Sequence, residues 1–497
     1  MKRVSIRMTV AGIVGIVMAG CTVGPTLRPP EFTTTDSYTE SPMPPETVSA
    51  PTAAGAAQRF AFAQQLSAEW WTLFHSAELN ALIKQALGEN PSLSSARAAL
   101  RAAQENLRAA RGALLYPGVD ASLQATRERA PSAVTGSSTP EFNLFNASVG
   151  VSYTLDLFGG SRYQLEALKA QVDYQSYQFE AVYLLLTGNI VTAAVSEASL
   201  REQIRATEEI IASEEKQFNV VKRQFELGAV PWVSVLALET ELANTKATLP
   251  PLEKQLAYTR HALSALVGQL PSGRRLPEFQ LQSLQLPEVL PVSLPSSLVH
   301  QRPDIRASEA LLAQASAEVG VATANLYPQI TLSGSYGFEA LDTANLFDGQ
   351  SVIWSLGAGL LQPIFHGGEL RAKRRAAMAA YDQAAGQYRE TVLKAFQDVA
   401  DVLRSLEADA RTLKAQIQAE TAAQGTLDLT QKQFELGAVN YLALLVAQRA
   451  YQQARINLIQ AQGARYSDTV ALFQALGGGW WNRGSTPAGA APGQKMD

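Results

Sequence analysis

Four stretches of the chain alternate apolar and polar residues with a period of two. In the run from Phe145 to Leu157 every odd position is apolar, and the even positions are Asn146, Ser148, Gly150, Ser152, Thr154 and Asp156. Val119, Ala121, Leu123 and Ala125 share one face of a second run. Ile330, Leu332, Tyr336 and Phe338 oppose Thr331, Ser333 and Ser335 in a third, and Val352, Trp354, Leu356, Ala358 and Leu360 line a fourth. Alternation over about ten residues predicts strands with one apolar face, at about 118–128, 143–157, 329–338 and 351–363. Soluble hairpins lying on a core and strands lying in lipid share this pattern. Turn-rich segments, 129–142 and 339–350, join the members of each pair and read as hairpin loops.

The pattern between the strands has a helical period. Residues 161–227 and 368–436 contain no proline, and about 67 residues at 1.5 Å each reach ~100 Å. Phe396, Val399, Leu403, Leu406, Ala410, Leu413 and Ile417 step by three and four, as do Val235, Leu238 and Leu242. Such spacing predicts coiled-coil seams between packed helices. Shorter helices are expected at about 90–112 and 232–267, stacked end to end beside a long one. Pro250 and Pro251 are expected to kink the second of them.

The elements occur twice. Pro91-Ser-Leu-Ser-Ser-Ala96 aligns with Pro303-Asp-Ile-Arg-Ala-Ser308, and Leu157-Phe-Gly-Gly160 with Phe365-His-Gly-Gly368. Gln224-Phe-Glu-Leu-Gly-Ala-Val230 recurs identically as Gln433-Phe-Glu-Leu-Gly-Ala-Val439. The offsets stay between 208 and 212 residues, which marks two tandem copies. The expected organisation is repeat 1 over 66–270, a Pro-rich linker or equatorial segment over 271–301, repeat 2 over 302–478, and a flexible tail over 479–497.

Composition alone suggests a large soluble protein, with 46% hydrophobic residues and a mean hydropathy of −0.04. The N-terminus changes that picture. Lys2, Arg3 and Arg7 precede an apolar run from Met8 to Ala19, the signature of a secretory signal over 1–20. The chain has one cysteine, Cys21, at the end of that signal. Val17-Met-Ala-Gly-Cys21 resembles a bacterial lipobox, which implies cleavage before Cys21, a lipid thioether on its sulfur and acylation of the new amine. Several acyl chains, palmitate among them, make a stable anchor. Thr22, where inner-membrane lipoproteins tend to carry Asp, favours the outer membrane. Residues 21–65, rich in Pro, Thr, Ser and Ala, read as a lipidated tether. Removing 1–20 leaves 38 cations against 45 anions, a charge of −7. That balance excludes a bulk nucleic-acid surface. One cysteine excludes an internal disulfide, and four scattered histidines give no metal-ligand spacing. No cofactor motif or catalytic constellation stands out.

Long duplicated helices attached to barrel-type strands, exported and lipidated, resemble the outer-membrane factor family (the TolC/OprM/NodT type), the exit ducts of tripartite efflux pumps. The match rests on Trp70-Trp-Thr-Leu-Phe74 with Leu79, Leu82 and Asn90, and on Leu298-Val-His-Gln-Arg-Pro-Asp-Ile305. Ala324-Asn-Leu-Tyr-Pro328 and Leu155-Asp-Leu-Phe-Gly159 add to it. The resemblance implies a mainly α fold with a membrane β-barrel. Four strands per chain would complete a 12-stranded barrel in a homotrimer, above a coiled-coil periplasmic tunnel. It implies outer-membrane lipid, a periplasmic membrane-fusion adaptor and an inner-membrane transporter, most simply of the RND type, as partners.

The resemblance also places the two identical turns at the periplasmic tips, where Gly228, Ala229, Val230, Gly437, Ala438 and Val439 would meet the adaptor. Leu442 and Val446 would ring the periplasmic aperture. Family members often carry an acidic residue where Val446 stands, so an apolar ring puts cation preference there in doubt. Packing within a helical seam is the competing reading of both residues. Arg371, Lys373, Arg374 and Arg375 cluster where the second long helix begins, as a solvated face or a contact for lipid phosphates. The expected function is passive export of small toxic compounds and drugs, with multidrug resistance as its outcome. The alternatives are a duct for proteins or metal ions, or, in another class, a lipidated adaptor or coiled-coil scaffold.

Overall fold

The computed structural model describes residues 37–129, 141–273 and 275–483. The signal 1–20, Cys21, the first part of the tether, most of the first hairpin loop and residues 484–497 lie outside them. Two compact units share the chain, and neither coincides with a repeat. Each takes segments from both copies.

The first unit comprises 98–176 and 307–389. Its centre is an antiparallel sheet of β2 (Gly118–Arg129), β3 (Glu141–Leu155), β5 (Gln329–Ala340) and β6 (Val352–Leu361), in the order β2-β3-β5-β6. The middle ladder, β3 to β5, joins the two copies, which explains why no unit follows a repeat. Register sorts the two faces. Val119 pairs with Val151, Ala121 with Val149, Tyr153 with Leu332 and Tyr336 with Trp354. These pairs stack one apolar face across all four strands. On the other face Ser122 and Ser148 lie 3.0 Å apart, Ser335 and Ser355 2.8 Å, and Thr154 and Thr331 3.3 Å, oxygen to oxygen. Asn146 Nδ2 donates to Glu339 Oε2 at 3.2 Å on this same face. Leu123, Trp354 and Leu356 stand exposed on the apolar side. β2 and β6 keep open edges, which lipid does not tolerate without further strands.

The second unit, 37–97, 177–306 and 390–483, is helical. It contains α1 (Ala77–Glu89), the start of α2 (Pro91–Leu115), and most of the long helix α3 (Gly160–Glu226). α4 (Trp232–Leu266), α5 (Pro295–Gln301) and the start of α6 (Pro303–Ala324) follow. Most of the second long helix α7 (Glu369–Glu435) and α8 (Tyr441–Ala475) complete it. Each long helix has 67 residues. Val399, Leu403, Leu406, Ala410 and Leu413 are buried, as a seam requires. α4 is continuous through Pro250 and Pro251, and its seam is buried at both ends but half-exposed over Leu249, Leu252 and Leu256.

Equivalent positions of the two copies join the short helices. Asn90 Oδ1 accepts from Leu93 N at 3.0 Å and caps α2, while its Nδ2 donates to Leu266 O at the end of α4 at 2.8 Å. In the second copy Arg302 precedes α6. It donates to Ala475 O at the end of α8 at 3.2 Å and pairs with Asp304 at 2.7 Å and Asp398 at 3.1 Å. An aromatic cluster of Trp70, Phe74, Tyr466 and Phe473 fills the core nearby.

Two expectations fail here. The tether over 21–65 does not run extended to its end. β1 (Arg59–Phe62) pairs in parallel with β4 (Val289–Val292), and Glu46 bridges to Arg59. Thr47, Gln58 and Phe60 are buried. The cause is a charge. Arg465, fully buried on α8, donates to Ala54 O at 2.6 Å, Gln58 Oε1 at 2.9 Å and Thr47 Oγ1 at 3.2 Å. A buried guanidinium needs such acceptors, and the N-terminal segment supplies them. The tail is likewise held over 479–483. Trp480 Nε1 donates to Gln301 O at 2.6 Å, and Arg483 pairs with Glu180 at 2.7 Å while lying 3.9 Å over the Tyr183 ring.

Candidate functional site

The two identical heptapeptides build two identical turns. After α3, Gly228 N donates to Phe225 O at 2.8 Å and Ala229 N to Gln224 O at 2.8 Å. After α7, Gly437 N donates to Phe434 O at 2.9 Å and Ala438 N to Gln433 O at 2.8 Å. This pair of bonds is the Schellman closure, which needs a left-handed residue just past the helix end. Gly228 and Gly437 both have φ +72, and a Cβ on either would meet nothing within 4 Å. Their glycine is required by the backbone rather than by crowding. Leu227 and Leu436 are exposed beside them, 71% and 84%. Ala229 and Ala438 are exposed, whereas Val439 is half-buried and Val230 packs on the cluster of Val221, Val235, Leu238 and Leu444. Val230 therefore anchors its turn more than it presents a surface. Phe225 meets Trp232 at 4.9 Å across the first turn, and Phe434 meets Tyr441 at 6.0 Å across the second.

Asn440 caps α8, its side chain accepting from Ala443 N at 3.1 Å. Tyr441, Leu444, Leu445 and Ala447 are buried, while Leu442 and Val446 are exposed, 64% and 60%. Residues four apart share a helix face. Leu442 and Val446 thus form an exposed apolar pair one turn deep that no element among the described residues covers. Packing in an intramolecular seam is removed as an explanation.

The same helices carry a polar cluster that the periodicity does not announce, with Glu214, Glu241, Thr245 and Gln448 buried and Arg449 exposed. Arg449 on α8 pairs with Glu241 on α4 through two hydrogen bonds, Nε to Oε1 at 2.7 Å and Nη2 to Oε2. Glu214 on α3 accepts from Thr245 Oγ1 at 3.1 Å, and its Oε2 has no hydrogen-bond partner among the described residues. Gln448 Nε2 donates to Gln217 Oε1. Burial pushes the Glu214 carboxyl up to about 7. The Thr245 bond and Arg449 oppose this, and the Glu241 carboxylate adds to it.

The sign of the linkage follows. The folded chain keeps the Glu214 proton where the unfolded chain, titrating near 4.5, has lost it. This contribution to stability is full below about 4.5 and declines as pH rises to about 7. Glu214→Gln, neutral at every pH, should raise the heat-dissociation midpoint at pH 8 and leave it unchanged at pH 4. An equal shift at both pH values would contradict the assignment.

Among the described residues no group of three or more His, Cys, Asp or Glu converges to hold a metal ion. The sequence reading brought the tips and the Leu442–Val446 pair into view. It missed Glu214, Glu241 and Arg449, whose partners lie on other helices, and Arg465, whose partners lie on the N-terminal segment; only their position among seam residues could have flagged them.

The family model described as "Outer membrane efflux protein" matches residues 82–269 and 294–478, one span in each repeat. The chain is 33% identical over 422 residues to the pyoverdine export outer membrane protein OpmQ of Pseudomonas aeruginosa, covering 83% of this chain and 87% of that protein. It is 29% identical over 477 residues to the toluene efflux pump outer membrane protein TtgC of Pseudomonas putida, covering 95% of each. The solved outer-membrane channel OprN superposes with a TM-score of 0.84 at 26% identity, over 93% of this chain and all of that one. The duplicated helices, the two-faced sheet and these matches place the chain in the outer membrane efflux protein family, a family of outer-membrane efflux channels.

Proposed function

We propose that the chain is the exit duct of a tripartite pump, a homotrimer whose three four-stranded sheets close one barrel. The open edges of β2 and β6 support this stoichiometry, since only added strands satisfy them in lipid. Apolar faces then meet lipid, and the Ser, Thr and Asn face lines the channel. A periplasmic adaptor docks on the tips around Gly228, Ala229, Gly437 and Ala438, with Leu227 and Leu436 as its apolar contacts. An inner-membrane transporter of the RND type supplies the energy. Lipid on Cys21 anchors the processed N-terminus. Leu442 and Val446 from three chains ring the aperture. The observation that carries this reading is their joint exposure on α8 just inside the tip.

Small toxic organic compounds are the cargo this reading favours, in line with the name of the toluene-pump relative. A siderophore is the second reading, favoured by the 33% identity to a pyoverdine exporter. Drug-sensitivity and siderophore-secretion assays on a deletion strain separate them.

Val446→Asp tests the aperture. Three carboxylates would ring a narrow apolar passage, and acidic rings select cations. The ratio of K⁺ to Cl⁻ permeability of single channels, read from reversal potentials in a KCl gradient, should rise several-fold. Unchanged selectivity would remove Val446 from the aperture.

A further inference from the structure

The duplication provides an internal comparison where a strand hands over to a long helix. In the first copy Asp156 closes the junction. Its Oδ1 accepts from Ser161 N at 3.2 Å, and its Oδ2 accepts from Arg162 N and Nε at 3.1 Å. Phe158 stacks on Tyr327 at 4.8 Å. Charge and ring are both matched within the chain.

The second copy, 208 residues on, is built differently. Ile364 stands where the first copy has Asp156, Arg371 where it has Tyr163, Arg374 for Glu166 and Arg375 for Ala167. At these four positions two anions are lost and three cations gained, while Glu369 stands for Ser161, Leu370 for Arg162 and Lys373 for Leu165. Ile364 is 93% exposed and Phe365 85%. Arg371, Arg374 and Arg375 are exposed, share one helix face at i, i+3 and i+4, and form no ion pair among the described residues. The adjacent Glu369 is engaged by Lys373 at 2.6 Å.

The position of this patch indicates what it meets. Leu361 is the last residue of the β6 ladder, and Leu356 and Leu360 before it belong to the apolar face. Ile364 and Phe365, both exposed, follow just past the ladder, and the arginines come within two helical turns. A membrane surface presents the same succession, hydrocarbon and then phosphate. Guanidinium groups suit that second layer because they bind phosphate oxygens in pairs.

We propose that Arg371, Arg374 and Arg375, with Ile364 and Phe365 beside them, form a docking surface for anionic phospholipid headgroups of the periplasm-facing leaflet. Charge complementarity and continuity with the lipid-facing side of the sheet identify the occupant. The proposal rests on the sheet lying in the outer membrane, and not on the tip or aperture assignments.

Native mass spectrometry of the full-length protein, in a neutral detergent, reads the occupancy directly. Phosphatidylglycerol should be retained well above phosphatidylcholine. Each cation near an anionic headgroup layer changes binding about fivefold, so three together change it on the order of a hundredfold. The triple variant Arg371→Gln, Arg374→Gln, Arg375→Gln should lose most of the preference, and Arg374→Gln alone about fivefold. The triple Lys variant should keep most of it. Should the triple Gln protein fail to assemble, the single variant and the Lys variant carry the test. Unchanged preference in the Gln variants, equal retention of both lipids by the wild type, or displacement of phosphatidylglycerol by millimolar inorganic phosphate would each overturn the proposal.

Discussion

Replacing both Gly228 and Gly437 by valine should abolish pump-dependent efflux while leaving assembled protein in the outer membrane. Both residues sit at φ +72 and close a helix with two backbone bonds. A left-handed conformation costs an ordinary residue roughly 1–2 kcal/mol, and a β-branched residue is a true outlier there. A Cβ at either position meets nothing within the chain, so the penalty is conformational and local. The turn can escape it only by opening, which moves Leu227, Ala229, Leu436 and Ala438 away from their shared geometry. The sheet lies in the other compact unit and keeps its own ladders. Asparagine, which tolerates the left-handed region, separates two causes. Efflux retained by the Asn pair assigns the requirement to the turn. Efflux lost assigns it to close approach of the adaptor. Full efflux in the Val pair, measured as unchanged minimum inhibitory concentrations, would contradict the docking assignment.

Arg465→Met should strongly destabilise the helical unit. The side chain is fully buried and donates to three acceptors on the N-terminal segment. Burial pushes its pKa down, while the Asp409 carboxylate opposes that shift. Methionine fills part of the volume but leaves Ala54 O and Gln58 Oε1 without their donor. Breaking such a buried network costs about 3–5 kcal/mol. The loss has a defined location. Residues 45–62 reach the body through Arg465, Gln58, Thr52 and the β1–β4 pairing; Gln58 Nε2 also donates to Thr469 Oγ1 and Gln462 Nε2 to Thr52 Oγ1, both at 3.0 Å. Limited proteolysis should therefore cut the variant within about 45–62 under conditions that leave the wild type whole. The heat-dissociation midpoint should fall with it. Resistance equal to wild type would show that the strand pairing and the hydrogen bonds of Gln58 and Thr52 hold the segment without Arg465.

Much of this molecule is legible in the sequence because its two periods are clean. Alternation over 145–155 fixes both the strand and the face that Val149 and Val151 take, since a slip of one residue would exchange the faces. The duplication is legible because the turn sequence Gln-Phe-Glu-Leu-Gly-Ala-Val is identical in both copies, and it closes both helices with the same pair of bonds. The β1–β4 ladder is not legible. It is four residues long, contains Pro291, and joins segments some 230 positions apart. The Pro-rich composition around it suggests a free tether, and a single arginine on a distant helix reverses that reading. The compact units escape the sequence for a related reason. Repeats record how the chain arose, but β3 pairs with β5 across the repeat boundary. At the candidate site, Leu442 and Val446 fit a seam by spacing alone. Only their exposure beside buried Tyr441, Leu444 and Leu445 distinguishes a surface from a core.

The central claim is that this channel completes an energised efflux route. Intracellular accumulation of a fluorescent pump substrate, followed in a deletion strain and in the same strain carrying the wild-type chain, tests it most directly. The account predicts several-fold higher accumulation without the chain, restored by its expression, and a difference that vanishes when an uncoupler collapses the proton gradient. Equal accumulation in energised cells with and without the chain, while the protein is present in the outer membrane, would contradict it.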